Sequence, residues 1–223
     1  MKPKHVQKVR DRRSIRLVLL SDTHGLEREL DVPPGDILIH AGDFTMFSKS
    51  LRAIEDLNKW LGEQPHRHRI LVPGNHEFFL EADPSRRSLL SNATVLINEG
   101  IEIDGLRIWG SPVTPLSGVA FGIPSPGDRK KTYAQIPPGT HVLITHGPPF
   151  GILDSSPGSE FHSGCKELLA AVTKIAPRLH VFGHIHGAYG LVQSDGTTFV
   201  NAALLGNDGD LAHEPVVLEM RTG

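Results

Sequence analysis

An α/β fold of mixed β-sheets, with helices outside and hairpins adding a second layer, is what this sequence predicts. Three observations carry the expectation. Five short apolar runs each end in a polar, small-residue turn. Two longer segments repeat apolar residues at helical spacing, and two Asp-Gly dipeptides sit between short alternating runs. Continuous apolar runs of this length belong to strands covered on both faces.

In chain order, "SIRLVLL" at 14–20 ends at Ser21-Asp22, "DILIH" at Ala41-Gly42-Asp43, and "RILV" at Pro73-Gly74-Asn75. Between the second and third, 48–64 reads as a helix. "GIEIDGLRIWG" is two alternating runs about Asp104-Gly105, a type I′ hairpin signal. "HVLIT" ends at His146-Gly147. The segment 163–176 reads as a second helix, with Ser163 as its N-cap and a stop before Pro177. "LHVF" ends at Gly183-His184, Asp195-Gly196 marks a second hairpin within 189–204, and "EPVVLEM" is a final strand. Segments 111–139 and 147–162 are rich in Pro, Gly and Ser and read as long loops, of the kind that form lids or substrate walls.

The chain has 223 residues, with a formal net charge of -2 and 22% charged residues. Such a length fits one large domain, taken as 14–223 after a solvated basic arm at 1–13. Near-neutral balance gives no basic coat for nucleic acid, so no sequence-specific nucleic-acid partner is expected. No apolar segment reaches 18 residues, so no membrane span is expected. The single cysteine, Cys165, forbids an intrachain disulfide and fits a reducing, cytoplasmic setting.

The five apolar runs lead into "SDTHG", "AGDFT", "PGNHE", "THGPP" and "GHIHG". Residues at the carboxyl ends of strands in one sheet converge in space, however distant in sequence. Asp22, Asp43 and Asn75 supply oxygen donors; His24, His146, His184 and His186 supply nitrogen. This mixture suits Mn²⁺, Fe²⁺ or Zn²⁺ better than calcium or a thiolate zinc site. Seven donors are too many for one ion and suit two. Two cations about 3.5–4 Å apart can lower the pKa of a bridging water and clamp phosphoryl oxygens. An H-x-H-x-D-H hydrolase site is excluded, because Gly187-Ala188-Tyr189 follow His186.

D-x-H, G-D, G-N-H-E, H-G and G-H-x-H in that order resemble the calcineurin-like metallophosphoesterase superfamily. "LIHAGDFT", "LVPGNHE", "THGPPFG" and "GCKELL" are similar to its small subgroup of metallophosphoesterase-domain (UPF0046-like) proteins. The resemblance implies two mixed β-sheets packed as a sandwich flanked by helices, and a two-metal site at one edge. By motif, Asp22, His24, Asp43 and His186 would hold one ion and Asn75, His146 and His184 the other, with Asp43 bridging. Manganese is the favoured metal, with iron or zinc as alternatives. His76 would face the substrate phosphate, where an imidazolium could donate a proton to the leaving oxygen as general acid or stabilise the charge that develops there. The expected reaction is hydrolysis of a small phosphodiester, cyclic nucleotides among the candidates. A phosphomonoesterase and a catalytically silent binding member of the fold are the alternatives.

Other residues stay open. His40 and Thr45 flank Asp43; His40 either orients a ligand or simply packs at the strand end. His66, His68, His141, His162, His180 and His213 are expected at the surface or in the core, and Cys165 in packing. Arg86-Arg87 and Arg129-Lys130-Lys131 read as solvated loop charge.

Overall fold

The computed structural model describes residues 14–47 and 50–222; the arm expected at 1–13 lies outside the described residues. Among the described residues, eleven strands form two sheets. In the first, β1 (Ser14–Leu20), β2 (Ile37–His40), β3 (His68–Leu71) and the short β4 (Thr94–Val95) run parallel. The C-terminal β11 (Val216–Arg221) joins β1 antiparallel at the edge. In the second, β6 (Leu106–Ser111), β7 (Val142–Thr145), β8 (Leu179–Phe182) and β10 (Thr197–Asn201) are parallel. Two hairpin partners, β5 (Glu99–Ile103) and β9 (Gly190–Ser194), close its edges antiparallel. This is the mixed two-sheet architecture expected.

Alternation along the strands explains the continuous apolar runs. Leu17 and Leu19 of β1 and Ile37 and Ile39 of β2 point inward, meeting Ile108, Val142, Ile144 and Val181 of the opposite sheet. Val18, Leu20, Leu38 and Leu71 point outward and are covered by Ile54, Leu57, Trp60 and Leu61 of α1 (Leu51–Glu63). Leu143, Phe182 and Phe199 leave the second sheet on its outer face. They are covered by Tyr133 of α3 (Pro126–Tyr133), the helix after the short α2 (Phe78–Ala82), and by Leu168 and Val172 of α4 (Lys166–Ile175). The central parallel strands are thus buried on both faces in a four-layer α/β/β/α stack, while the edge strands β5, β9 and β11 stay partly exposed.

Both Asp-Gly turns have positive φ at both residues, Asp104 at 51° and Gly105 at 80°, Asp195 at 50° and Gly196 at 80°, as type I′ turns require. Three details differ from expectation. The segment 111–139 is not wholly loop, because α3 lies within it, capped by Ser125 and opened by Pro126. Its polar composition gives no apolar stripe, so only the cap signal marks it. The N-cap of α4 is Cys165, not Ser163, because the pairing of Pro149 with Cys165 keeps the chain extended to that point. Arg129 is buried rather than solvated. It pairs with Glu167 at 2.8 Å and donates to the carbonyls of Ile123 and Pro124 at 2.8 and 2.7 Å, tying α3 to α4.

His180 is fully buried on β8 between Phe182 and Phe199, with its Nε2 2.9 Å from Thr145 Oγ1. Burial pushes its pKa down to about 3, so the folded protein keeps it neutral. Between the ordinary value of 6.5 and about 3 the unfolded chain binds the extra proton, so stability falls as pH falls through that window. Denaturant unfolding at pH 7 and pH 5 should show wild type losing about 2 kcal/mol more than His180→Phe, from about 1.4 kcal/mol per pKa unit. Parallel losses in the two proteins would refute a buried neutral histidine.

Candidate metal centre

The parallel register aligns the carboxyl ends of β1, β2 and β3, with His40 opposite both Leu20 and Leu71. The loops that follow are laced together: Asp22 N donates to Gly42 O at 2.9 Å and His24 N to Asp43 O at 3.0 Å. In the second sheet, Gly183 N donates to His146 O at 2.9 Å; Leu204 N donates to Ser21 O at 3.0 Å, linking that sheet to the first. The backbone turns sharply here. Asp22, His24, Asp43 and His184 have φ of 55°, 45°, 52° and 71°, a left-handed conformation that non-glycine residues hold only when their surroundings enforce it.

The five strand ends bring the candidate donors into one cluster. His186 Nε2 lies 3.4 Å from Asp22 Oδ1. Asp43 Oδ2 lies 3.2 Å from His146 Nε2, 3.7 Å from His76 Nε2 and 4.0 Å from His24 Nε2. Asn75 Oδ1 is 2.8 Å from His146 Nε2. Three groups have donor atoms all within 4.8 Å of one another: Asp22 with His24 and His186, Asp43 with His146 and His184, and Asp43 with His24 and His76. The last group brings His76, read from sequence as the substrate-facing residue, among the donors as well.

Three imidazoles are held in a defined tautomer. His24 Nδ1 faces Thr45 O at 3.1 Å, His146 Nδ1 faces Ala41 O at 3.0 Å, and His186 Nδ1 faces Gly206 O at 3.3 Å. A carbonyl only accepts, so each Nδ1 donates its N–H to the backbone and each Nε2 is the atom left facing the carboxylates. Nε2 atoms and carboxylate oxygens gathered in this way are arranged as around a cation. The electrostatics agree. Asp22 and Asp43 are buried, which opposes ionisation, yet both are held below the usual carboxylate range, Asp22 by bonding to His186 and the charge of His146, and Asp43 by His146. Burial opposes charging of His146, but Asp43 and Asp22 outweigh it and raise its pKa to about 9. In protein alone the pocket attracts a proton; a divalent ion answers the same demand.

Two glycines admit this close approach. A Cβ on Gly74 would strike the Asp43 carboxylate and come within 2.8 Å of the His146 ring. One on Gly183 would strike the Asp22 carboxylate and Ser21. Only glycine fits either position.

His40 is buried beneath these loops, its Nε2 3.0 Å from Thr23 Oγ1 while its Nδ1 accepts from Gly42 N at 3.3 Å. Thr45 supplies the carbonyl that orients His24. Glu77 was not legible as a site residue. Its buried carboxylate accepts from the backbone N–H groups of Gly74, Asp43 and Thr45 at 2.6, 2.9 and 3.0 Å, and from Thr45 Oγ1 at 3.0 Å. Burial and the neighbouring Asp43 raise its pKa to about 8. It staples the β2 and β3 loops; the last letter of "GNHE" was its one signal. Phe47 was missed too; its ring stacks on His76 at 3.6 Å.

The remaining histidines make contacts elsewhere. His66 bonds Pro33 O, His68 faces Asp104, His141 accepts from Arg107 N, His162 pairs with Asp154, and His213 stacks on Tyr189. Arg86 lies over the Phe79 ring, Arg87 pairs with Glu99 and Lys131 with Asp128. Cys165 is buried and burial raises its pKa, in keeping with packing rather than reactivity.

A donor cluster of mixed oxygen and imidazole type at the carboxyl edge of a four-layer sandwich defines a metallophosphoesterase. Residues 15–188 match the calcineurin-like phosphoesterase family model. Human metallophosphoesterase domain-containing protein 1 is 36% identical over 93% of this chain and 71% of its own length. The UPF0046 protein K07C11.7 of Caenorhabditis elegans is 34% identical over 91% and 74%. Among solved structures, TT1561 of Thermus thermophilus has a TM-score of 0.59 at 11% identity, covering 84% of this chain and 88% of its own. The phosphopantetheinyl hydrolase of Mycobacterium tuberculosis has 0.56 at 16%, covering 86% and 90%. These two likenesses concern the fold alone. The chain belongs to the calcineurin-like phosphoesterase family, metal-dependent hydrolases of phosphoesters, and to its subgroup of metallophosphoesterase-domain and UPF0046 proteins. Among the described residues no helix is long and apolar enough to cross a membrane.

Proposed function

We propose that this protein is a dinuclear-metal phosphodiesterase acting on a small phosphodiester, with manganese as its favoured metal. Asp22, His24, Asp43 and His186 would hold one ion, and Asp43, Asn75, His146 and His184 the other. The observation that carries the reading is Asp43, whose one carboxylate oxygen faces imidazoles of both donor sets. Two divalent ions so held would supply an activated water and neutralise charge on phosphoryl oxygens.

The chain's own groups divide the remaining work. Asn75 and His146 present adjacent oxygen and nitrogen atoms, while the backbone carbonyls behind His24, His146 and His186 keep their Nε2 atoms aimed inward. His76, with an Nδ1 that has no partner among the described residues and its ring against His24, serves as the proton donor to the leaving oxygen. Among the described residues no Lys or Arg lines the cavity beside His184 and His186. That favours a singly charged diester over a doubly charged monoester. Residues 14–223 act as one domain, since strands beyond the matched segment complete both sheets. A free, buried cysteine supports a cytoplasmic setting.

The test is chelator stripping followed by Mn²⁺ and a substrate panel: bis(p-nitrophenyl) phosphate, p-nitrophenyl phosphate, and 2′,3′- and 3′,5′-cyclic nucleotides. Turnover should vanish on stripping, return with Mn²⁺, and favour diesters. Full activity in a verified metal-free sample would end the two-metal reading, and a monoester preference would end the diesterase one.

A further inference from the structure

The cavity beside the metal centre has walls that the proposed chemistry does not use. It is an open cavity of about 350 Å³, and its lining includes His184, His186, Ser156, Phe161, Ser163 and Asn207. The size falls within the usual range for a small-molecule site. Ser156 and Asn207 come from separate loops, yet both heads converge on Gly187. A Cβ there would lie 2.5 Å from Ser156 Oγ and 2.8 and 3.0 Å from Asn207 Nδ2 and Oδ1. Gly187 directly follows the candidate ligand His186, so these polar atoms stand beside the place where a phosphate would be held.

Three properties of the wall point to one ligand chemistry. Ser156 Oγ, Ser163 Oγ and the Asn207 side-chain amide have no hydrogen-bond partner among the described residues, so their donors and acceptors are free for a ligand. Among the described residues the wall carries no Lys or Arg, which disfavours further phosphates. Phe161, 74% exposed, adds a solvent-accessible aromatic side chain to the lining. Neutral donors and acceptors beside an aromatic face match a sugar ring, with hydroxyls around its edge and apolar C–H groups on its faces.

We infer that Ser156 and Asn207, with Phe161, form a specificity wall that receives a sugar ring esterified to the phosphate. This rests on the metal-site reading above and adds the class of alcohol the enzyme accepts. His184 and His186 mark the phosphate end of the cavity; the hydroxyls of the sugar meet Ser156 and Asn207 over Gly187, and its C–H face lies on Phe161.

Titration calorimetry of the Mn²⁺-loaded protein tests it, with inorganic phosphate and ribose 5-phosphate as probes. Ribose 5-phosphate should bind about tenfold tighter than phosphate, the gain of one or two neutral hydrogen bonds. Ser156→Ala and Asn207→Ala, both at accessible positions, should each reduce that preference, and the double variant should abolish it with phosphate affinity unchanged. Equal affinities in wild type, or variants that weaken both probes alike, would overturn the wall. Phosphate that binds no better with Mn²⁺ than without it would instead overturn the metal-site reading beneath it.

Discussion

Replacing Asp43 by Asn should empty both metal sites together. The amide preserves size and can still accept from His76 N, which donates to Asp43 Oδ1 at 2.9 Å, so the loop after β2 keeps its shape. What is lost is the negative charge that faces His24, His76 and His146 together. Metal content by elemental analysis should fall from about two ions per chain to below about one, because two cations then sit close together with no bridging charge. Turnover should fall by about 10³-fold or more, since several kcal/mol of charge stabilisation are removed at about 1.4 kcal/mol per factor of ten. His186→Ala and His184→Ala supply the contrast. The first should mainly empty the site shared with Asp22 and His24, and the second the site shared with Asn75 and His146. An Asp43→Asn protein that retained both ions would remove the bridge from the proposal.

His76→Gln should separate chemistry from metal binding. Gln keeps the polarity and approximate size but cannot supply a titrating proton. Metal content should stay near wild type while turnover on poor leaving groups drops by about 10²–10⁴-fold, the usual loss for a general acid. The defect should shrink for p-nitrophenyl esters, whose leaving group scarcely needs protonation. The structure sharpens this test, because His76 Nε2 shares a donor group with His24 and Asp43. Metal lost in proportion to activity would make His76 a ligand. Equal slowing of good and poor leaving groups would make it an electrostatic support for the phosphoryl group.

Much of the fold was legible because its signals are local. Both-face burial writes itself as an unbroken apolar run, as in "LVLL" of β1, and a type I′ turn writes itself as Asp-Gly. The helix α3 was harder to read, since "PGDRKKTY" is polar throughout and only Ser125 and Pro126 mark its start. Arg129 escapes sequence reading for a related reason. Its burial depends on Glu167, 38 positions away, and nothing in its neighbours signals that pairing.

At the site the division is sharper. The sequence alone marked which residues are candidate metal donors, because the donor types and the glycines beside them recur at strand ends, and strand ends are a local property. Only the tertiary structure decided which donors face which. His146 Nδ1 meets Ala41 O across 105 positions, and the His184 backbone meets Asp22 across 162. Parallel register within each sheet and the packing of one sheet on the other set those distances. The same holds for Glu77, whose carboxylate ties two loops, for Phe47 stacked on His76, and for Ser156 and Asn207, which converge over Gly187 from loops that share no motif. A residue's chemistry travels with its letter, but its partners follow from long-range packing that no short stretch of sequence contains.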